Sequence, residues 1–112
     1  MAGSHEGQVV VVTGAGKGIG RAIAERFADA AAHVAVNDVD RDRVAKVVSG
    51  ITAAGGTAID TPADVSDSSQ VGAMFDAVVE AWGTVDVLVN NAGMVSPMLH
   101  FFEADEAWWR RI

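Results

Sequence analysis

The stretch that most constrains this chain is residues 13–20 (TGAGKGIG), because it joins an apolar run to an amphipathic one. The run before it, residues 9–12 (VVVV), is typical of a strand covered on both faces of a parallel sheet. The residues after it have the apolar spacing of a helix. Glycines at such a junction adopt backbone angles that other residues avoid, and the helix start offers N–H groups to an anion. The stretch therefore predicts a phosphate-binding turn.

An acidic residue, Asp38, ends the next apolar run and lies 24 positions beyond Gly14. In a dinucleotide site, a carboxylate at this place accepts hydrogen bonds from the adenosine ribose hydroxyls. The same charge would repel the 2′-phosphate of NADP. Asp38 therefore predicts a dinucleotide site that prefers NAD.

The rest of the chain alternates strand and helix patterns. We expect strands at 9–13, 34–38, 57–65 and 85–90, and helices at 18–30, 41–54, 67–82 and from about 103 to 112. Asp40 and Ser66 are the expected N-caps of the second and third helices. Pro62 cannot donate to a strand ladder, so the third strand is expected at a sheet edge. The inward stripes are predicted as Ile19, Ala22, Ile23, Phe27 and Ala30; Val44, Val47, Val48 and Ile51; and Val71, Met74, Phe75, Val78, Val79 and Trp82.

Composition excludes several other classes of function. The 112 residues allow at most one domain, and the net charge of −7 argues against binding to nucleic acid or an anionic membrane surface. With no cysteine, the chain has no disulfide and no thiolate metal site, and His33 has no neighbour with metal-ligand spacing. No run reaches the roughly 20 apolar residues of a membrane span, and residues 1–6 lack the pattern of a signal peptide. We therefore expect a cytoplasmic protein without a metal site.

Three motifs together point to one family. The glycines Gly14, Gly18 and Gly20 are spaced G-x-x-x-G-x-G, Asp64-Val65 follows the third strand, and residues 90–93 read NNAG. In this order they resemble the short-chain dehydrogenase/reductase family. The resemblance covers nearly all of this chain but only the first half of that family's fold. It implies an α/β Rossmann-type doubly wound parallel sheet of order 3-2-1-4, with residues 1–112 an incomplete dinucleotide-binding domain truncated before the fifth strand.

The resemblance also assigns roles at the site. Asp64 would accept a hydrogen bond from the adenine 6-amino group, Val65 would supply a backbone donor, and Asn90 and Ala92 would line the passage of the inner ribose. Lys17 occupies the place where some NADP-preferring relatives carry a basic residue, but we expect Asp38 to decide for NAD. The full set of expected cofactor contacts is Gly14, Gly16, Lys17, Gly18, Ile19, Gly20, Asp38, Asp64, Val65, Asn90, Ala92 and Gly93.

By resemblance, the complete enzyme would be a homo-oligomeric oxidoreductase that moves hydride between NAD and the alcohol/carbonyl pair of a small molecule. Members of the family use a tyrosine and a lysine four residues later as acid and base, and this chain contains no tyrosine. We therefore assign no catalytic residue and expect the chain alone to bind cofactor without turnover. The unpaired edge of the fourth strand should promote self-association.

Two alternatives remain open. A methyltransferase also uses a Gly-x-Gly-x-Gly pattern, here Gly16, Gly18 and Gly20, and an acidic residue after its second strand. A dinucleotide-binding or partner-binding module without catalysis would need no further residues.

One local feature departs from the resemblance, because Ala31 stands where the family usually has a glycine after the first helix. A left-handed conformation there would cost alanine about 1 kcal/mol.

Overall fold

The computed structural model describes residues 4–92, which alternate strictly between strand and helix. All neighbouring strands are parallel, in the order β3-β2-β1-β4, so the predicted α/β fold and strand order are confirmed. The helix expected from about residue 103 lies outside the described residues, as does Gly93. The elements are β1 (Val9–Val12), α1 (Gly18–Asp29), β2 (His33–Val36), α2 (Arg41–Ala53), β3 (Thr57–Asp60), α3 (Ser68–Trp82) and β4 (Val87–Val89).

The sheet has a hydrophobic layer on each face, and β1 contributes to both. Val10 and Val12 pack toward α1 and α2, whereas Val9 and Val11 pack toward α3. All four β1 residues are buried because helices cover both faces and because β2 and β4 flank the strand. This explains why β1 is an unbroken β-branched run rather than an alternating one.

The predicted inward stripe of α1 is right only in part. Ile23 and Phe27 are partly buried and pack against the core, as predicted. Ile19 is 75% exposed, however, and Ala22 is exposed as well. The buried positions of the helix are Gly20, Ala24 and Ala28, which recur every four residues and whose small size lets the helix lie close to the strands. The five predicted stripe residues also line a groove of about 980 Å³ together with Ser4 and His5.

The end of α1 forces an alanine into a left-handed conformation. Ala31 has φ of 67°, and its N–H donates to the carbonyl of Ala28 while the Ala32 N–H donates to that of Phe27. This is the Schellman arrangement, in which the residue after the helix normally is glycine. Ala31 therefore adopts the left-handed conformation that is costly for alanine.

The remaining helices follow the predicted pattern with two corrections. Asp40 caps α2 by accepting from the N–H groups of Asp42 and Arg43, as expected, and the predicted apolar stripe of α2 faces the core. The cap of α3 is Asp67 rather than Ser66, because the Asp67 carboxylate accepts from the N–H groups at the helix start. In α3 the predicted stripe packs inward apart from Val79, which is 48% exposed.

The strands are shorter than the sequence predicted. β3 pairs only with β2 and ends at Asp60, so Pro62 lies beyond an edge strand, in agreement with its missing N–H. β4 spans three residues and pairs with β1, at the opposite end of the sheet. His33 begins β2 and its ring packs against Trp82 with the ring centroids 5.2 Å apart. Among residues 4–92, no helix combines the length and apolar character needed to cross a membrane.

Candidate dinucleotide-binding site

The carboxyl ends of β1, β2 and β4 bring three predicted motifs to one edge of the sheet. Because β1 lies between β2 and β4, the glycine loop that follows β1 is flanked by Asp38 on one side and by Asn91 and Ala92 on the other. A crevice at this edge is the usual ligand position in open parallel sheets. The sheet order thus joins motifs that are up to 79 residues apart in the chain.

The glycines of the loop have different physical reasons for being glycine. A Cβ on Gly14 would lie 2.9 Å from the Cα of Ala92, and one on Gly20 would overlap the Gly14 carbonyl oxygen and the Asn91 side chain. Gly18 has φ of +60°, yet an added Cβ there would meet no heavy atom within 4 Å. Gly14 and Gly20 therefore serve packing within the protein, whereas the space beside Gly18 is open to a ligand.

The amides of the loop divide into those that the protein uses and those that it leaves. The Ala15 N–H donates to the Asn37 carbonyl at 2.6 Å, and the Gly16 N–H donates to Oδ2 of Asp38 at 3.0 Å. Within residues 4–92, the N–H groups of Gly18 and Ile19 have no such protein acceptor. These two amides open α1, where the helix dipole favours an anion. The phosphate position that the geometry offers is therefore the first turn of α1.

Asp38 is held by two backbone donors. Its Oδ2 accepts from Gly16, and its Oδ1 accepts from the N–H of Asp40 at 3.2 Å. A Cβ on the buried Gly16 would come within 2.8 Å of Oδ2 and 2.9 Å of the Arg43 Cβ. The absence of a side chain at Gly16 is what lets the carboxylate reach the loop, so Asp38 presents a fixed negative charge at the crevice.

Thr13 ties the end of β1 to the end of β4. Its Oγ1 accepts from the N–H groups of Asn91 and Ala92, each at 3.0 Å, and donates to the Val89 carbonyl at 3.3 Å. The Asn91 side chain adds a bond from Nδ2 to the Gly14 carbonyl at 3.2 Å. The family motif predicts a role for Asn90, which is exposed, but none for Asn91. Asn91 of the NNAG motif thus anchors the glycine loop from the β4 side.

Asp64 and Val65 lie in a tight turn that leads into α3. Oδ1 of Asp64 accepts from the Oγ of Ser66 at 2.6 Å and from its N–H at 2.9 Å. The Ser66 hydroxyl, followed by the Ser66 amide, holds the pKa of the Asp64 carboxyl below its ordinary value, so the group is ionised at neutral pH. Val65 is 42% exposed. The turn offers a carboxylate and a backbone amide side by side.

A buried amide that sequence analysis missed connects this turn to β2. Nδ2 of Asn37 donates to the carbonyls of Thr61 at 2.9 Å and Ala63 at 3.2 Å, and Asn37 is 1% exposed. The Ala63 N–H in turn donates to the Asp38 carbonyl at 3.1 Å. The signal in the sequence is an asparagine that ends an apolar run directly before Asp38, because an amide buried at the end of a strand needs hydrogen-bond partners. Asn37 places the residues before Asp64 beside Asp38.

Two other predicted cofactor contacts are Lys17 and Gly93. Lys17 is exposed at the start of α1, and Gly93 lies outside the described residues. In the described part of the chain, no three His, Cys, Asp or Glu side chains cluster closely enough to hold a metal ion. The groups that the fold brings together are therefore the glycine loop, Asp38, the Asp64 turn and the end of β4.

Comparisons with known proteins agree with this geometry. The sequence profile described as short chain dehydrogenase matches residues 8–112. An uncharacterized oxidoreductase of Methylorubrum extorquens is 48% identical over 108 residues, which are 96% of this chain and 43% of that protein.

Two solved structures have the same fold. A metagenomic short-chain oxidoreductase in complex with NADP has a TM-score of 0.85 and 39% identity, over 95% of this chain and 48% of that one. A 7α-hydroxysteroid dehydrogenase complexed with NADH and 7-oxo glycochenodeoxycholic acid also has a TM-score of 0.85 and 39% identity, over 95% of this chain and 41% of that one. The chain thus spans less than half the length of these relatives. It belongs to the short-chain dehydrogenase family and carries that family's NAD(P)-binding Rossmann-type fold.

Proposed function

We propose that residues 1–112 form the NAD-binding part of an oxidoreductase that transfers hydride between NAD and the alcohol/carbonyl pair of a small molecule. The observation that carries the choice of NAD is the Asp38 carboxylate, held by the Gly16 N–H at the mouth of the crevice. A fixed charge there can accept hydrogen bonds from two ribose hydroxyls. It would lie against the 2′-phosphate of NADP, and like charges that share a partly enclosed site are costly.

The described residues fit a dinucleotide. The first turn of α1 would hold the pyrophosphate, with the amides of Gly18 and Ile19 as donors and the open space beside Gly18 as its seat. Asp64 and Val65 would contact the adenine, and Asn90, Ala92 and Gly93 would border the inner ribose. The bound nicotinamide supplies hydride chemistry, and this chain's own residues bind and orient the cofactor. Lys17 is exposed and can turn toward solvent, so it does not outweigh Asp38.

We assign no catalytic residue to this chain, because none of its residues is a tyrosine that could serve as the acid and base. The substrate would be a small molecule, and the complete enzyme would be a homo-oligomer. Relatives of this chain act on different substrates, since one is a 7α-hydroxysteroid dehydrogenase and another, from Bacillus subtilis, is a 2,3-dihydro-2,3-dihydroxybenzoate dehydrogenase.

The test is calorimetric titration of the protein with NADH, NADPH and S-adenosylmethionine. We expect NADH to bind at least about tenfold more tightly than NADPH, since one uncompensated like-charge contact costs roughly 1.4 kcal/mol or more. Preference for NADPH would overturn the role of Asp38. Binding of S-adenosylmethionine in place of either dinucleotide would favour a methyltransferase-like domain instead.

A further inference from the structure

Gln70 bridges the two ends of the turn that contains Asp64 and Val65. Its side-chain Oε1 accepts from the Asp64 N–H at 2.8 Å, and its Nε2 donates to Oδ2 of Asp67 at 3.1 Å. The same turn is closed by the Asp67 N–H, which donates to the Asp64 carbonyl at 3.0 Å. One glutamine side chain therefore spans residues 64–67 from the first to the last.

This arrangement differs from an ordinary helix cap. In a capping box, a glutamine at the third helical position reaches back to the N–H of the cap residue itself. Here Gln70 occupies that position, the cap is Asp67, and the glutamine reaches three residues further to Asp64. The bond thus adds nothing to the first turn of α3 and acts on the loop before it.

The opposite side of the loop is anchored independently. Asn37 holds the carbonyl of Ala63, and the Asp38 carbonyl accepts from the Ala63 N–H. Position 63 is thus fixed to the residues that directly follow β2, and position 64 is fixed to α3 through Gln70. With Oδ1 of Asp64 occupied by Ser66, the direction of the remaining oxygen and of the Val65 amide depends on these two anchors.

We infer that Gln70 is a positioning residue for adenine recognition, because it holds the turn from which the Asp64 carboxylate and the Val65 N–H would contact the adenine 6-amino group and N1. The inference rests on the proposed adenine contact of Asp64 and Val65. Gln70 touches neither cofactor nor substrate and acts through the turn. Replacing it should alter discrimination between bases more than it alters the fold.

The experiment compares NADH with reduced nicotinamide hypoxanthine dinucleotide, in which a 6-oxo group replaces the amino group and N1 carries a proton. Both are titrated by nicotinamide fluorescence against the intact protein. The readout is the dissociation constant of the hypoxanthine analogue divided by that of NADH. The unaltered protein should favour NADH. Gln70→Ala should lower that ratio about fivefold, the effect of one hydrogen bond of ordinary strength.

A control and a second substitution of Gln70 complete the comparison. Ser69→Ala removes a hydrogen bond to the same cap, Asp67, without touching Asp64, and should leave the ratio within about twofold of the unaltered value. Gln70→Glu replaces the donor to Oδ2 of Asp67 by a repelling carboxylate, and should lower the ratio at least as much as Gln70→Ala. Circular dichroism verifies that each variant is folded.

The outcomes separate the inference from the proposal beneath it. A ratio near one in the unaltered protein, with no effect of Asp64→Ala, would refute the adenine contact and the inference with it. A clear ratio that Asp64→Ala abolishes and Gln70→Ala leaves intact would refute the role of Gln70 alone. Equal losses in Ser69→Ala and Gln70→Ala would assign the effect to the helix cap and also refute that role.

Discussion

The N–H of Gly16 donates to Oδ2 of Asp38 across 3.0 Å, so the loop after β1 and the carboxylate after β2 form one unit. The bond is possible because Gly16 has no side chain, since a Cβ would lie 2.8 Å from that same oxygen. The residue proposed to select the cofactor therefore also orders the phosphate loop. A substitution that tests cofactor selection must therefore remove the charge of Asp38 while keeping its hydrogen bond to the Gly16 N–H.

Asp38→Asn keeps an acceptor for the Gly16 N–H and removes the charge. We expect this variant to bind NADPH about tenfold more tightly than the unaltered protein, while NADH binding falls by less, because a single uncompensated charge contact is lost. Calorimetry of both cofactors measures the change. Asp38→Ala should narrow the same gap but weaken both cofactors, since the loop also loses its anchor. An unchanged preference in Asp38→Asn would show that the charge does not select.

Gly18→Val should abolish dinucleotide binding, because its side chain would occupy the open space beside the first turn of α1. The left-handed φ of +60° adds a cost of about 1–2 kcal/mol to the free energy of folding, which a stable domain survives. Gly83→Val is the matched control, since Gly83 also has a left-handed φ of +84°, an added Cβ there would meet no heavy atom within 4 Å, and it lies at the C-terminal end of α3. Intact NADH affinity in a folded Gly18→Val protein would contradict the loop assignment.

Ala31→Gly should raise the free energy of unfolding by about 1 kcal/mol, because glycine adopts the φ of 67° without steric cost. Urea denaturation monitored by circular dichroism measures it. The neighbouring Ala30→Gly is the control and should lower stability, since Ala30 has φ of −87° and gains nothing from glycine. Equal effects of the two substitutions would disprove the strain.

Asn37→Ala should lower the free energy of unfolding by about 2 kcal/mol. It leaves the buried carbonyls of Thr61 and Ala63 without their donor and also opens a cavity. Asn90→Ala, at an exposed asparagine, should change stability by no more than about 0.5 kcal/mol. Chemical denaturation of both variants tests the difference, and a mild effect of Asn37→Ala would mean that water replaces the lost amide.

The capping carboxylate of α3 predicts a dependence of stability on pH. The Ser69 hydroxyl, with Gln70, lowers the pKa of Asp67 from its ordinary value of 3.8. A carboxyl whose folded pKa is depressed contributes stability above the unfolded pKa and loses it as pH falls through the folded pKa. Asp67→Asn should therefore be less stable than the unaltered protein at neutral pH, and the difference should vanish in acid below that range. Urea denaturation at several pH values would reveal a constant difference if the charge has no part.

Local patterns were enough to predict the order of strands and helices, the parallel sheet and the edge position of β3. Periodicity, capping residues and Pro62 act over a few residues, and right-handed crossovers then leave few topologies. The family resemblance, rather than spacing, implied that Ala92 lines the same site as the glycine loop and Asp38.

The tertiary structure decided which apolar face of α1 meets the sheet. Helical periodicity predicts a core position for Ile19 as readily as for Ala24, but in the packed structure Ile19 is exposed and the buried residues of the helix are Gly20, Ala24 and Ala28. Likewise, the partners of Asn91, Asn37 and Gln70 are carbonyls and amides that become neighbours only after strands distant in sequence pair. A backbone group that accepts or donates a hydrogen bond can belong to any residue type, so the sequence does not reveal which residue is the partner. The sequence by itself therefore specified the motifs, and the packing of the sheet determined which residues hold them in position.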